Sequence, residues 1–178
     1  MANSYFNISG EAPQQLLAPG DNIRVSKISL VNIQKVSKCK VDLWIEKLTN
    51  ELDTTNMGKF YLLKGVELPI GATLVYDNAR FSNSTGEFGL YIKLTDGASF
   101  TLTGSIDVAA NTSVPGTNTL FTSELSIGDE VVISGETRTI NGITSDTAAT
   151  VSAAFGSDLA DDTTPDCNPT ALVDVIIQ

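Results

Sequence analysis

The chain has 178 residues, 42% hydrophobic and 18% charged, with 11 Lys and Arg against 21 Asp and Glu, no histidine and a net charge of −10. That length allows one large or two small domains, each with its own core. The charge disfavours nucleic acid and anionic membranes as partners, no apolar run approaches the ~20 residues that span a bilayer, and the lack of histidine removes the commonest general base and a major metal ligand.

Residues 1–22 show no periodicity and contain Pro13, Pro19 and Gly20, so they read as an N-terminal arm. The arm carries Tyr5, Phe6, Ile8, Leu16 and Leu17, and apolar side chains in an irregular segment suggest docking onto a neighbour. Packing on its own domain is the alternative. The N-terminus has neither the basic region nor the apolar stretch of a secretory signal. The first strand is expected over 23–32, where a change of phase at Ser26 and Lys27 suggests a bulge. Residues 38–47 alternate cleanly, with Val41, Leu43 and Ile45 on one face and Lys40, Asp42, Trp44 and Glu46 on the other. Trp44 therefore falls on the polar face, where it marks an interface unless the arm or a second sheet covers it. Further strands are expected at 59–64, 66–70, 73–77, 88–94 and 99–102. Short strands at this spacing, with turn residues between them, predict an antiparallel sandwich or barrel.

The composition changes near Thr103 and Gly104. Residues 105–170 hold ten acids against one base, Arg138, a net of −9, and the remainder of the chain has a net of −1. Within this acidic stretch, strands are expected at 130–133, at 137–143 with a bulge at Gly142, and at 148–151. Leu120, Phe121, Val131, Ile133 and Phe155 form the apolar set. The best helical candidate is one turn at 122–125, capped by Thr122 or Ser123. Residues 158–169 read as a return linker, and 171–177 as a final apolar strand. The chain is thus expected to be all-β, an antiparallel β-sandwich host domain (23–104 plus 168–178) with a small β-barrel-like module (105–167) inserted before its last strand.

Catalytic chemistry is hard to find. There is no Gly-rich loop followed by Lys and Ser or Thr for phosphate, and no nucleophile elbow. Carboxylate pairs for glycoside hydrolysis are usually framed by aromatics, and this chain has one Trp and four Tyr. No catalytic or cofactor-binding residue is expected. Asp158, Asp161, Asp162 and Asp166 are a weak oxygen-ligand set for Ca²⁺, but their spacing is not that of an EF-hand, and a solvated acidic loop is the simpler account. Cys39 and Cys167 form no metal or redox spacing and read as free thiols of a reducing compartment. A bridge would require the start of one strand to lie beside the approach to the last.

Two stretches carry a resemblance. The inserted segment, with Gly116, Thr117 and Phe121 at its opening, a Gly128-Asp129 turn, a hairpin at Gly135 to Arg138 and a return through Ser145, Asp146 and Thr147, resembles a small β-module of tailed-bacteriophage virion and tail-fibre proteins. The host stretches 28–32, 41–45 and 61–75, with a terminal strand at 173–177, are similar to small phage structural proteins built as one β-sandwich. The resemblance implies a non-catalytic virion component, such as a capsid decoration or a neck or tail accessory protein, made in the host cytoplasm. It would be a homo-oligomer that packs against other virion proteins, with no nucleic acid or membrane partner. Tyr5, Phe6, Ile8, Leu16, Leu17 and Trp44 are the expected interface. The alternative is a tail-fibre or baseplate domain that binds a host-surface glycan.

Overall fold

The computed structural model describes residues 3–47, 58–77, 81–82, 88–157 and 159–178. Its elements are antiparallel strands with one helical turn, so the protein is all-β. Two compact units result, one holding Met1–Ile33, Lys38–Thr95 and Ala171–Gln178, the other Gln34–Ser37 and Asp96–Thr170.

In the first unit the strands are β1 (Ser4–Ser9), β2 (Gln14–Leu17), β3 (Arg24–Val25), β4 (Ile28–Asn32), β5 (Cys39–Lys47), β6 (Lys59–Leu68), β7 (Thr73–Tyr76), β8 (Phe81–Ser82) and β9 (Phe88–Thr95). The second unit contains β10 (Phe100–Thr101), β11 (Ser105–Val108), β12 (Ser113–Thr117), α1 (Phe121–Glu124), β13 (Glu130–Ile133), β14 (Glu136–Ser145), β15 (Ala148–Val151), β16 (Leu159–Asp162) and β17 (Asp166–Asn168). The chain then returns to the first unit as β18 (Leu172–Ile177).

Two four-stranded sheets build the first unit, in the orders β1-β18-β4-β7 and β2-β9-β5-β6. Successive strands change sheet at β1 to β2, β4 to β5 and β6 to β7, and every pairing is antiparallel. This is the double-sheet, eight-stranded jelly roll. Strand alternation explains its core. Ile8, Ile28, Leu30, Val173, Val175 and Ile177 come from one sheet, and Leu17, Val41, Leu43, Leu90, Ile92 and Leu94 from the other, all buried in one cluster. The change of phase at Ser26 and Lys27 falls between β3 and β4, where both N–H groups donate to the Gln178 carbonyl.

The expected arm is corrected by this arrangement. Residues 4–9 and 14–17 are strands, β1 pairing with β18 and β2 with β9. Ile8, Leu16 and Leu17 belong to the jelly-roll core. The period was hidden because Tyr5 and Phe6 are both apolar on opposite faces, and because a register shift between Gln15 and Leu17 breaks the alternation in β2.

In the second unit the sheet closes on itself. The order β10-β17-β13-β14-β15-β12-β11-β16 begins and ends with halves of the same two strands. β10 and β11 are separated by a bend at Gly104, whose φ is 83°. Across from them, β17 and β16 continue one antiparallel ladder, from Phe100 opposite Cys167 to Val108 opposite Leu159, with a register shift between Ile106 and Val108. Leu102 N–H donates to the Pro165 carbonyl at 2.7 Å between the two half-ladders. The result is a six-stranded antiparallel barrel around Ile106, Val114, Phe121, Leu125, Val131, Ile133, Ile140 and Val151. The bulge expected at Gly142 is present as a register shift between Ile140 and Gly142.

Several expectations in this stretch need correction. The segment 99–102 does not pair with the sandwich; β10 pairs with β17. The supposed return linker contains β16 and β17, whose acidic outward positions disguised them as loop. Leu120 is 44% exposed, outside the core that Phe121 joins. The helical turn starts at Leu120 without a side-chain cap; Thr122 donates through N–H and hydroxyl to Asp146 instead.

Candidate interaction surfaces

The outer face of β2-β9-β5-β6 carries an aromatic ladder. Trp44 stands directly opposite Tyr91 on β9 and Tyr61 on β6. Its ring stacks on Tyr91 at 5.8 Å and 16°, and meets Tyr61 tilted at 6.0 Å. Lys59 Nζ lies 4.9 Å from the Trp44 ring centre, and Lys64 Nζ 4.3 Å from that of Tyr61. The indole N–H donates to Glu46 Oε2 at 3.0 Å, and Gln15 donates to the Tyr91 hydroxyl at 2.8 Å. Gly89 leaves room for this cluster, since a Cβ there would meet Tyr91 Cε2 at 2.9 Å.

Trp44 is therefore on the outward face, as alternation predicts, yet it is only 3% exposed. Among the described residues, its ring contacts come from neighbouring strands of its own sheet. Tyr61 and Tyr91 flank it and the Lys59 ammonium lies over its ring, so an incoming partner meets Tyr61 and the lysines first. The rest of this face is charged. Asp42 faces Lys93 across the strands and accepts from Lys64 Nζ at 2.8 Å and from Gly65 N–H at 2.6 Å. Burial alone opposes ionisation of Asp42, but the hydrogen bonds and the Lys64 charge outweigh it and hold the carboxyl below the usual range.

The outer face of β1-β18-β4-β7 differs in kind. Register places Tyr5, Ile176, Ser29 and Val75 in one row across the four strands, and Asn7, Asp174, Val31 and Thr73 in the next. Leu172 and Ile33 extend the face, joined by the Ile33 N–H to the Leu172 carbonyl at 3.0 Å. Asp174 holds the one formal charge among these ten positions, and Asn7 donates to it at 2.7 Å. Tyr5 is 68% exposed and Val75 45%. Of the expected interface residues, Tyr5 is thus on the surface, Phe6 is half-buried against the core, and Ile8, Leu16, Leu17 and Trp44 are buried.

In the barrel unit the densest polar site is enclosed. Asp129 Oδ1 accepts from Gln34 Nε2 and from Thr170 N–H, both at 2.9 Å, and Oδ2 accepts from Ser126 N–H at 2.7 Å. Gln34 Nε2 also donates to the Thr170 carbonyl, while its Oε1 accepts from the Ser126 hydroxyl and the Lys35 N–H. Burial pushes the Asp129 carboxyl above its ordinary value, and these N–H donors pull the other way without reversing it. Cys167, with Sγ 4.0 Å from Asp129 Oδ2, is raised far above a normal thiol, first by burial and then by the Asp129 charge. Both cysteines are free and buried. The sequence concealed this site because Gly128-Asp129 reads as a surface turn and Gln34 belongs to a distant loop.

The weak Ca²⁺ set does not converge. Asp158 lies outside the described residues. Asp162 accepts from Ser134 N–H at 2.6 Å and Thr164 N–H at 2.9 Å, and Asp166 from the Thr101 hydroxyl at 2.8 Å. Among the described residues no three His, Cys, Asp or Glu side chains gather to hold a metal ion. No described helix is long and apolar enough to cross a membrane.

No protein family matches this chain. No curated protein resembles it in sequence. Two solved structures are similar to it at a distance. One is that of infectious bursal disease virus, Gx strain, with 7% identity and a TM-score of 0.23, covering 98% of this chain and 32% of that one. The other is the VP2 subviral particle of infectious bursal disease virus, with 12% identity and a TM-score of 0.18, covering 98% of this chain and 40% of that one. The chain thus spans well under half the length of each.

Proposed function

We propose that the protein is a non-catalytic structural component of a virus particle, and specifically a capsid-decoration or neck or tail accessory protein of a tailed phage. The observation that carries this reading is the two-sheet jelly roll, an architecture used by viral capsid and lectin domains, here interrupted before its last strand by an acidic barrel. Fold alone does not assign function, so the surfaces matter. The polar groups that titrate abnormally in the barrel are locked in a closed hydrogen-bond network, and the surfaces left to solvent are sheet faces suited to packing against subunits.

The particle itself supplies the test. Purified virions probed by mass spectrometry and by gold-labelled antibody should contain the protein at a fixed stoichiometry on head, neck or tail. Absence from intact particles would end the reading. Specific retention on a glycan array, lost on Tyr61→Ala, would move the assignment to a host-surface recognition domain.

A further inference from the structure

We propose that the outer face of β1-β18-β4-β7 is a self-association surface, where a second copy of this chain docks face to face about a two-fold axis. The comparison that carries the inference is internal. Both outer faces belong to the same sandwich, yet one presents Lys40, Asp42, Glu46, Lys59, Lys64 and Lys93, whereas the ten positions of the other hold Asp174 alone, with Lys27 and Asp77 beyond the strand ends among the described residues. An antiparallel sheet whose outer face meets water normally alternates apolar-in and polar-out. Here Tyr5, Val31, Ile33, Val75, Leu172 and Ile176 lie outward as well, and depletion of charge with aromatic and aliphatic enrichment is the mark of an interface centre.

The occupant follows from symmetry and charge. In a two-fold contact a surface meets itself, so every charge near the axis faces a like charge. A chain of net charge −10 can pair with its own copy most readily through a face that carries almost none. Asp174 is compatible because Asn7 already donates to it. A sheet four strands wide at about 4.8 Å and five or six residues long at about 3.4 Å presents a face of roughly 15–19 Å by 17–20 Å. That is roughly 250–380 Å² per copy, below the ~800 Å² per partner of a standard interface, so the dimer is weak and transient.

Sedimentation velocity of the full chain from about 1 to about 500 µM tests this, a range set by the expected affinity. The mass should rise from 18.8 kDa toward twice that value, and added salt should tighten the dimer by screening the repulsion between copies. Val75→Glu and Ser29→Lys, both outward on this face, should each weaken the dimer at least tenfold. Ser29→Lys reduces the net charge, so its effect cannot come from added overall negative charge. Tyr61→Ser on the opposite face, which keeps the net charge, should leave the dimer unchanged, and near-ultraviolet circular dichroism should show all variants folded. A monomer throughout the range overturns the proposal. So does a dimer that survives both Val75→Glu and Ser29→Lys, or one that Tyr61→Ser abolishes.

Discussion

Gln34 Nε2 donates to Asp129 Oδ1 at 2.9 Å, joining residues 95 positions apart in the chain. Both side chains are buried, and Asp129 is fully inaccessible. The loop between β4 and β5 therefore contributes to the barrel unit, and its amide adds a third donor to a buried carboxylate that Ser126 and Thr170 N–H already bind.

Removing that partner should be expensive. Gln34→Ala leaves the Asp129 carboxylate and the Ser126 hydroxyl each short of a partner, and should destabilise the barrel by about 2–3 kcal/mol. Urea unfolding followed by tryptophan-independent circular dichroism reads the change. A loss below about 0.5 kcal/mol would mean that water replaces the amide, and the network would then be ornamental.

The pH response has opposite signs in the two units. Asp129 binds its proton more tightly in the native barrel than in the unfolded chain, where Asp titrates near ~3.9. Between that value and the raised native one, stability falls as pH rises, and the contribution is greatest below the window. Asp42 is the reverse, because its native value is lowered; its contribution is present above the unfolded value and fades as pH falls through the native one. Carboxyl ¹³C titration by nuclear magnetic resonance should find Asp129 titrating above Asp42. The opposite order would contradict both assignments.

Trp44 is the sole tryptophan, so its emission reports the aromatic ladder without interference. Burial between Tyr61 and Tyr91 should blue-shift the emission and protect it from iodide quenching. Trp44→Ala should cost about 3–5 kcal/mol, as for a large core aromatic. Lys59→Ala removes the ammonium over the ring together with its methylene stem and should change stability by about 1 kcal/mol. Efficient quenching in the native protein would show that the ladder is open.

These cases show what the sequence makes legible. Residues 39–47 were readable because one face packs into a core and the period of two survives in the side chains. The same reading puts Trp44 outward but leaves open whether it is covered, since neighbours on β6 and β9 are not visible in the strand itself. Asp129 was illegible for a different reason. A Gly-Asp pair carries a strong local turn signal, whereas the partners that bury it come from 34 and 170. The acidic run after 158 looked like linker because its inward residues are few and Asp162 and Asp166 spend their oxygens on backbone and hydroxyl donors.

Gly104 offers a test of the barrel seam. Its φ of 83° is the left-handed region, and a Cβ there would meet backbone atoms of Asn118 at 2.7 Å. Gly104→Ala should destabilise the barrel by about 2–4 kcal/mol, through backbone strain and overpacking together. Gly135→Ala, at a similar φ but with open space around it, should cost less, about 1 kcal/mol. Equal losses at the two sites would remove the packing contribution at Gly104.

The pairing of Phe100 with Cys167 has a consequence for how the chain tolerates so long an interruption. The first and last strands of the barrel lie side by side, so the segment between β9 and β18 leaves and re-enters through neighbouring ends. An unstructured loop of that length would raise the entropy of closing the jelly roll by about 2–3 kcal/mol over a tight turn. Once the barrel has folded, its ends are as near as those of a hairpin, and that penalty disappears. Folding of the interruption thus hands the jelly roll a short connection, and a mutation that unfolds only the barrel should lower the melting point of the jelly roll as well.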